Sequence, residues 1–164
     1  MYKYFLIFVF LAFTGQISSQ EVQVIGIDGL KEELSRKADS VYVVNFWATW
    51  CKPCTEEMPD LLRVEKEYKD KNLMLILISL DLPSMKDTRL PKFMSEYGIN
   101  SRVLLLDDPD ANKWIPMVDE SWSGSIPATL IYAPKVDYRD FHEGIITYSE
   151  LKETVYPLIR NKKQ

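Results

Sequence analysis

The chain has 164 residues, of which 46% are hydrophobic, and its formal net charge is −4 at pH 7. This length fits one domain, and the hydrophobic fraction suffices for a buried core. The acidic balance excludes a basic nucleic-acid-binding surface, because phosphate binding needs clustered Lys and Arg. Two Cys and one His cannot form a disulfide framework, and they complete a four-ligand zinc site only with carboxylates.

The first residues predict a secretory signal peptide. Lys3 precedes an unbroken apolar run at residues 4–13, which as a helix spans about 15 Å, half of a ~30 Å hydrocarbon core. Polar residues follow, and Ser19 is the expected cleavage position. We expect a signal peptide at residues 1–19 and one mature domain at residues 20–164, which works outside the cytosol, where disulfides persist. An uncleaved signal anchor and a buried core segment are the alternatives.

Alternating strand and helix patterns indicate an α/β fold. The apolar runs at 41–47 and 73–79 are too short and too continuous for amphipathic helices, so they predict strands buried on both faces, as in parallel sheets. A helical pattern lies between them and predicts a right-handed β-α-β unit. Asp28 is expected to cap an earlier helix. In chain order we expect a strand at 22–27, a helix at 29–37, a strand at 41–47, a helix at 53–69 and a strand at 73–79.

The second half of the chain predicts a helix-strand-helix segment and a closing hairpin. Pro134 and Lys135 begin a turn after an apolar strand pattern, and an alternating strand then returns antiparallel. Thr147 and Glu150 form a capping box for the last helix. The sheet is therefore expected to be mixed, with helices on both faces. The elements are a helix at 85–97, a strand at 102–106, a helix at 110–118, strands at 128–133 and 138–142, and a helix after Thr147.

Cys51 and Cys54 lie close together where a predicted strand ends and a helix begins. A disulfide that closes so short a loop stabilises a fold by about 2 kcal/mol, so the pair suits reversible exchange better than stapling. The positive helix N-terminus and Lys52 stabilise a thiolate. We expect Cys51 to be the exposed nucleophile and Cys54 the buried resolving thiol. The alternatives are a structural disulfide, half of a metal site, and a Cys-His hydrolase that uses His142.

The segment at 43–59, which contains this pair, closely resembles the active-site segment of thioredoxin-like proteins of the TlpA/ResA type. Those proteins are bacterial extracytoplasmic thiol-disulfide oxidoreductases, and the resemblance covers about residues 22–160. It implies a thioredoxin-like fold with an inserted β-α segment, and a cis peptide bond before Pro127 in a loop that faces the Cys pair. It also implies that Trp50, Ile126 and Pro127 bind the substrate, with the Ile126 backbone pairing to an extended segment.

One acidic residue near the Cys pair also matches the family. Glu57 corresponds to the acid in the Cys-x-x-Cys-x-x-Glu-x-Pro pattern of the TlpA/ResA proteins. Thioredoxins often carry a buried Asp where this chain has Asn45, which cannot take a proton. Our hypothesis is that Glu57, partly desolvated, tunes the cysteine pKa values or accepts a proton. The alternative is an ordinary solvated acid of the helix surface, which is the role expected for Glu56.

The resemblance implies an enzyme that exchanges disulfides with protein substrates as a reductant, and cytochrome c maturation is one role found in the family. No nicotinamide or flavin motif is visible, so re-reduction would need a membrane electron donor. We expect no cofactor, no metal, no nucleic-acid partner, and no stable membrane insertion after cleavage of the signal peptide. The expected location is the bacterial periplasm or another extracytoplasmic space. The alternatives are a Cu(I)-handling module, because thiolates suit Cu(I), and a thiol peroxidase. The Thr-x-x-Cys context of peroxiredoxins is absent, although Thr49 is nearby.

Overall fold

The computed structural model describes residues 21–160. The expected signal peptide at residues 1–19 and the start of the expected mature domain at residue 20 lie outside the described residues. Within 21–160, no helix has the length and apolar character needed to cross a membrane. These residues form one sheet that is covered by helices.

Within residues 21–160, six strands form a single mixed sheet. They are β1 (Gln23–Ile25), β2 (Val41–Trp47), β3 (Leu73–Ser79), β4 (Arg102–Leu106), β5 (Ala128–Ala133) and β6 (Tyr138–Glu143). Their order across the sheet is β1-β4-β3-β2-β5-β6. The pairs among β1 to β4 are parallel, whereas β5 is antiparallel to both β2 and β6. This arrangement confirms the expected mixed sheet with its closing hairpin.

The part of the chain that the structure describes has five α-helices, which pack against the two faces of the sheet. They are α1 (Ile27–Leu34), α2 (Lys52–Tyr68), α3 (Arg89–Tyr97), α4 (Ala111–Val118) and α5 (Tyr148–Arg160), with 3-10 turns at Pro83–Met85 and Pro134–Val136. The buried residues of α2, α3 and α5 belong to one apolar core, and those of α1 and α4 belong to the other. Helices on both faces are thus confirmed, and β4 with α4 corresponds to the expected inserted β-α segment.

The central strands are buried on both faces because both faces carry helices. Every residue of β2 is buried, and in β3 only Met74 is partly exposed. Successive side chains of a strand point to opposite faces, so Val43 belongs to the core under α2 and Val44 to the core under α1. The continuous apolar runs therefore indicated the right kind of strand.

Two predicted helix starts are wrong. α1 starts directly after Gly26, so Asp28 lies in the first turn, where its charge still faces the positive helix end, instead of at the cap. The helix expected at 85–97 starts only at Arg89, because a 3-10 turn occupies Pro83–Met85 before it. This later start places Pro91 in the first helical turn, where its missing N–H removes no intrahelical hydrogen bond.

The last helix begins as the sequence predicts. The Thr147 N–H donates to Oε2 of Glu150 at 2.8 Å, and the Glu150 N–H donates to Oγ1 of Thr147 at 3.4 Å, which confirms the capping box. Pro157 lies inside α5, which nevertheless continues to Arg160. The segment that enters this helix, residues 144–147, donates backbone hydrogen bonds to Pro127 and to Glu57 and so contributes to the site.

Candidate active site

The Cys pair lies where β2 ends and α2 begins. Cys51 is the N-cap of α2, and its Sγ accepts a hydrogen bond from the Cys54 N–H at 3.3 Å. The two cysteines form a disulfide. Cys54 is fully buried and Cys51 is 6% exposed, so Cys51 is the more accessible sulfur. The expectation of an exposed Cys51 is wrong in degree, because the loop before β5 covers it.

That covering loop contains a cis peptide bond between Ile126 and Pro127, as the family resemblance implied. The carbonyl oxygen of Ile126 lies 3.7 Å from Sγ of Cys51. The carbonyl oxygen of Pro127 accepts a hydrogen bond from the Gly144 N–H at 2.9 Å. The cis-proline loop therefore contacts both the disulfide and the segment that enters α5.

An aromatic anchor holds the chain just before this loop. Trp122 is 5% exposed, stacks obliquely on Phe46 with ring centroids 4.8 Å apart, and donates its indole N–H to the Ser125 carbonyl at 2.8 Å. The Ser123 N–H donates to Oε2 of Glu143 at 3.0 Å. Trp122 thus anchors the loop from below and presents almost no surface to a substrate.

A buried aspartate fixes the turn in front of Cys51. Asp81 is 2% exposed, and its carboxylate accepts hydrogen bonds from the N–H and the hydroxyl of Thr49, the latter at 2.6 Å. The Ser79 hydroxyl also donates to Asp81 at 2.8 Å, and Arg89 donates to the Thr49 carbonyl at 3.2 Å. Sequence analysis missed this group, although a polar Ser-x-Asp step at the end of a buried strand could have indicated it.

Glu57 lies one helical turn after Cys54 and is buried, so the solvated-acid alternative is wrong. Its Oε1 accepts from Nδ2 of Asn45 at 2.7 Å, and its Oε2 accepts from the Ile146 N–H at 2.9 Å. Burial raises the pKa of Glu57 to about 7, and these two hydrogen bonds oppose the rise. A carboxyl with this pKa can take up or release a proton near neutral pH. Glu56, in contrast, is exposed, as expected.

Asn45 connects Glu57 to the sheet. It lies in β2 and is fully buried, and its Nδ2 also donates to Oγ1 of Thr129 at 3.0 Å. Its Oδ1 has no hydrogen-bond donor among the residues that the structure describes. An amide cannot take a proton, so within this pair the proton resides on Glu57.

Exposed apolar side chains lie on the segments that form the site. Trp50 precedes Cys51 and is 54% exposed. The side chains of Leu82 and Ile145 are also exposed. Leu82 follows Asp81, and Ile145 lies between the two residues that donate hydrogen bonds to the site, Gly144 and Ile146. Lys52 is exposed, and its Nζ lies 3.7 Å from Oε1 of Glu56, so the two side chains form an ion pair. An incoming chain would meet mainly apolar side chains here.

The lone histidine lies on β6. The His142 Nε2 is 2.9 Å from the carbonyl oxygen of Ile145. Within residues 21–160, no group of three or more His, Cys, Asp or Glu side chains is arranged to hold a metal ion.

Sequence comparisons agree with this geometry. The model of the AhpC/TSA family matches residues 15–139. The thioredoxin-like protein YneN of Bacillus subtilis is 29% identical over 127 residues, which cover 77% of this chain and 70% of YneN. The thiol-disulfide oxidoreductase ResA of Oceanobacillus iheyensis is 29% identical over 126 residues, and the chain spans only 61% of its length.

A solved structure supports the same assignment. The thioredoxin-related protein from Neisseria meningitidis serogroup B superposes with a TM-score of 0.64 at 27% identity, over 79% of this chain and 90% of that one. The match to the family model covers more than half of the chain, and the sheet, the Cys pair and the cis-proline are placed as the resemblance implied. The chain therefore belongs to the AhpC/TSA family and has a thioredoxin-like fold.

Proposed function

We propose that the protein is a thiol-disulfide oxidoreductase that exchanges disulfides with protein substrates through Cys51 and Cys54. The observation that carries this proposal is the disulfide at the start of α2, with its Cys51 sulfur facing the cis-Pro127 loop. Relatives named thiol-disulfide oxidoreductase, such as the ResA of Oceanobacillus iheyensis, support it.

The first step forms a mixed disulfide. The Cys51 thiolate attacks one sulfur of the substrate disulfide; the new S–S bond forms as the substrate bond breaks, and the departing substrate thiolate takes a proton. The helix N-terminus favours the thiolate of Cys51, because the Cys54 N–H points at this sulfur. Cys51 is the nucleophile because Cys54 has no exposed surface.

The second step releases the substrate. Cys54 loses its proton and attacks Sγ of Cys51, which restores the Cys51–Cys54 disulfide and frees the second substrate thiol. The substrate has then gained two electrons from the two enzyme sulfurs, and its two thiolates have each taken a proton; the enzyme sulfurs have lost two electrons and the Cys54 proton. Glu57, one turn after Cys54 and with a pKa of about 7, is the proposed acceptor of the Cys54 proton.

Substrate recognition is assigned to three residues around the sulfur. Trp50 offers an exposed aromatic surface beside Cys51. The backbone of Ile126, held by the cis bond to Pro127, can pair with an extended segment of the substrate, which makes binding largely independent of substrate side chains. A protein or peptide substrate suits this open apolar surface better than a small molecule does.

The direction of electron transfer and the compartment are proposed from the family resemblance. We propose that the protein reduces its substrates outside the cytoplasm, receives electrons from a membrane donor, and acts on substrates such as the cysteines used in cytochrome c maturation. Relatives named thiol-disulfide oxidoreductase ResA support the exchange chemistry, and the chain spans between 46% and 67% of their length.

The experiment measures the reduction potential of the Cys pair and traps its partners. A value near about −270 mV supports a reductant, and one near about −120 mV an oxidant. Cys54→Ser is expected to accumulate a mixed disulfide with a model protein that carries a disulfide, and none with the same protein after reduction and alkylation. Cys51→Ser is expected to accumulate no mixed disulfide with either. Retention of one copper ion per chain without exchange activity would instead favour the Cu(I)-handling alternative. Rapid peroxide consumption with oxidation of Cys51 would favour the peroxidase alternative.

A further inference from the structure

A row of polar side chains crosses the sheet beneath Glu57. Asn45 of β2 pairs with Thr129 of β5, and Thr129 pairs with His142 of β6. Directly paired residues of neighbouring strands point to the same face. Asn45 donates to both Glu57 and Thr129, so hydrogen bonds join the buried acid to the middle of the row.

The row runs from the core to the edge of the sheet. Asn45 and Thr129 are fully buried, whereas His142 lies on the edge strand β6 and is partly exposed. Its face is the one covered by α2 and α5, because Tyr138, four residues earlier on β6 and therefore on the same face, packs against that core. His142 is thus the solvent-side end of a row that begins at Glu57.

The loop between β6 and α5 also connects His142 to Glu57. The His142 ring lies 2.9 Å from the Ile145 carbonyl oxygen, and the next residue, Ile146, donates its N–H to Glu57. In the same loop, Gly144 donates to the carbonyl of Pro127. The contact of His142 therefore fixes the segment that binds both the buried acid and the cis-proline.

The charged groups around Glu57 are few. His142 acts on the Glu57 carboxyl in the sense that lowers its pKa, and Asp60, one turn further along α2, acts in the opposite sense. Glu150, at the start of α5, also interacts with His142. The Cys pair, one turn before Glu57, carries no charge in the oxidised protein. Among these groups, His142 is the one whose charge acts to lower the pKa of Glu57.

We propose that His142 is a positioning residue of the active site: its ring holds the loop that binds Glu57, and its charge acts on the Glu57 carboxyl from the edge of the sheet. This inference rests on the proposed function for its meaning in catalysis. Its test uses the oxidised protein, in which no exchange takes place, so the two can fail separately.

The charge is tested by following the Glu57 carboxyl by NMR across the pH range in two variants of the full chain. His142→Gln removes the charge and keeps an N–H that can donate to Ile145, whereas His142→Lys carries a permanent charge. The titration midpoint of the Glu57 carboxyl is expected to be higher in the Gln variant than in the Lys variant, by roughly half a pH unit. Equal midpoints in the two variants would overturn the role of the charge.

The matched control is the same pair of substitutions at Asp140. This residue is exposed on the same face of β6, two positions earlier and about 7 Å further from the row. The Gln and Lys variants at Asp140 are expected to differ less in the Glu57 midpoint than the pair at His142. An equal or larger difference there would show a general surface-charge effect and overturn the assignment to His142.

The loop contact is tested by amide hydrogen exchange. His142→Ala removes the ring, and the Ile146 N–H is expected to exchange roughly fivefold faster, as a lost hydrogen bond of about 1 kcal/mol implies. His142→Gln is expected to retain most of the protection. Unchanged protection of Ile146 in the Ala variant would overturn the positioning role, whatever the exchange activity of the enzyme.

Discussion

Two buried carboxylates flank the Cys pair, and their surroundings differ. Asp81, on the side of the turn before Cys51, accepts from the N–H and hydroxyl of Thr49 and from the hydroxyl of Ser79. Glu57, on the helix after Cys54, accepts from one amide side chain and one backbone N–H, and its pKa is raised to about 7 by burial. A carboxylate with three donors anchors a loop, and one with fewer donors can exchange a proton.

The largest expected effect breaks the Asp81 anchor. Asp81→Ala leaves the Thr49 N–H and two hydroxyl groups without their acceptor in a buried place, and we expect the free energy of unfolding to fall by about 4 kcal/mol. Urea unfolding measures this loss. The control is Asp60→Ala, because Asp60 accepts from the Tyr148 N–H in a partly buried place, and it should cost about 1 kcal/mol. Equal losses in the two variants would contradict the anchoring role.

The second effect concerns the pH dependence of stability. The pKa of Glu57 is raised from 4.5 to about 7, so between these pH values the folded protein retains a proton that the unfolded chain has released. This contribution to the free energy of unfolding is full below about pH 4.5 and is lost as the pH rises to 7, by roughly 3 kcal/mol in all.

Urea unfolding of the wild type and of Glu57→Gln at pH 4.5, 6 and 8 measures this contribution. The difference between the two proteins should move in favour of the variant as the pH rises. Glu56→Gln serves as the control, because Glu56 is exposed on the same helix and should leave the dependence unchanged. A pH-independent difference between wild type and Glu57→Gln would show that the buried acid does not titrate in this range.

A third, smaller effect follows from placing a second carboxyl beside Glu57. Asn45→Asp places a second carboxyl within 2.7 Å of Glu57, and two carboxyls so close share one proton. We expect the midpoint of the pH-rate profile of disulfide exchange to rise by about one pH unit. Thr129→Val, which removes only the hydroxyl bonded to Asn45, should move the midpoint less. An unshifted profile in Asn45→Asp would separate this pair from the chemistry.

The smallest effect concerns the surface between the two carboxylates. Trp50 is 54% exposed, so Trp50→Ala should change the free energy of unfolding by less than about 0.5 kcal/mol. For a protein substrate we expect KM to rise several-fold, while the rate with a small disulfide stays the same. Tyr156→Ala, an exposed aromatic residue on α5, is the matched control. An equal effect on both kinds of substrate would contradict a role of Trp50 in protein binding.

The sequence was sufficient to predict the features that depend on neighbouring residues. The continuous apolar runs predicted β2 and β3, and the spacing of Cys51 and Cys54 at a strand-to-helix boundary predicted the redox pair. The cis bond at Pro127 came from the family resemblance alone, because nothing in a single X-Pro sequence distinguishes cis from trans.

The features that depend on distant contacts were not predictable in the same way. Asp81 anchors Thr49 only because β3 lies beside β2, and the polar environment of Glu57 includes the backbone of Ile146, far along the chain. Sequence analysis considered His142 only in the hydrolase alternative, yet the pairing of β5 with β6 brings it into the row with Thr129. Such contacts become visible only once the strand order is known.

The central claim is that Cys51 and Cys54 exchange disulfides with Glu57 as the proton acceptor. The most direct measurement is the rate at which Cys54 resolves a mixed disulfide preformed on Cys51, recorded against pH in the wild type and in Glu57→Gln. We predict that the wild-type rate rises with a midpoint near pH 7 and that the variant is slower and lacks this rise. The same profile in both proteins would contradict the claim.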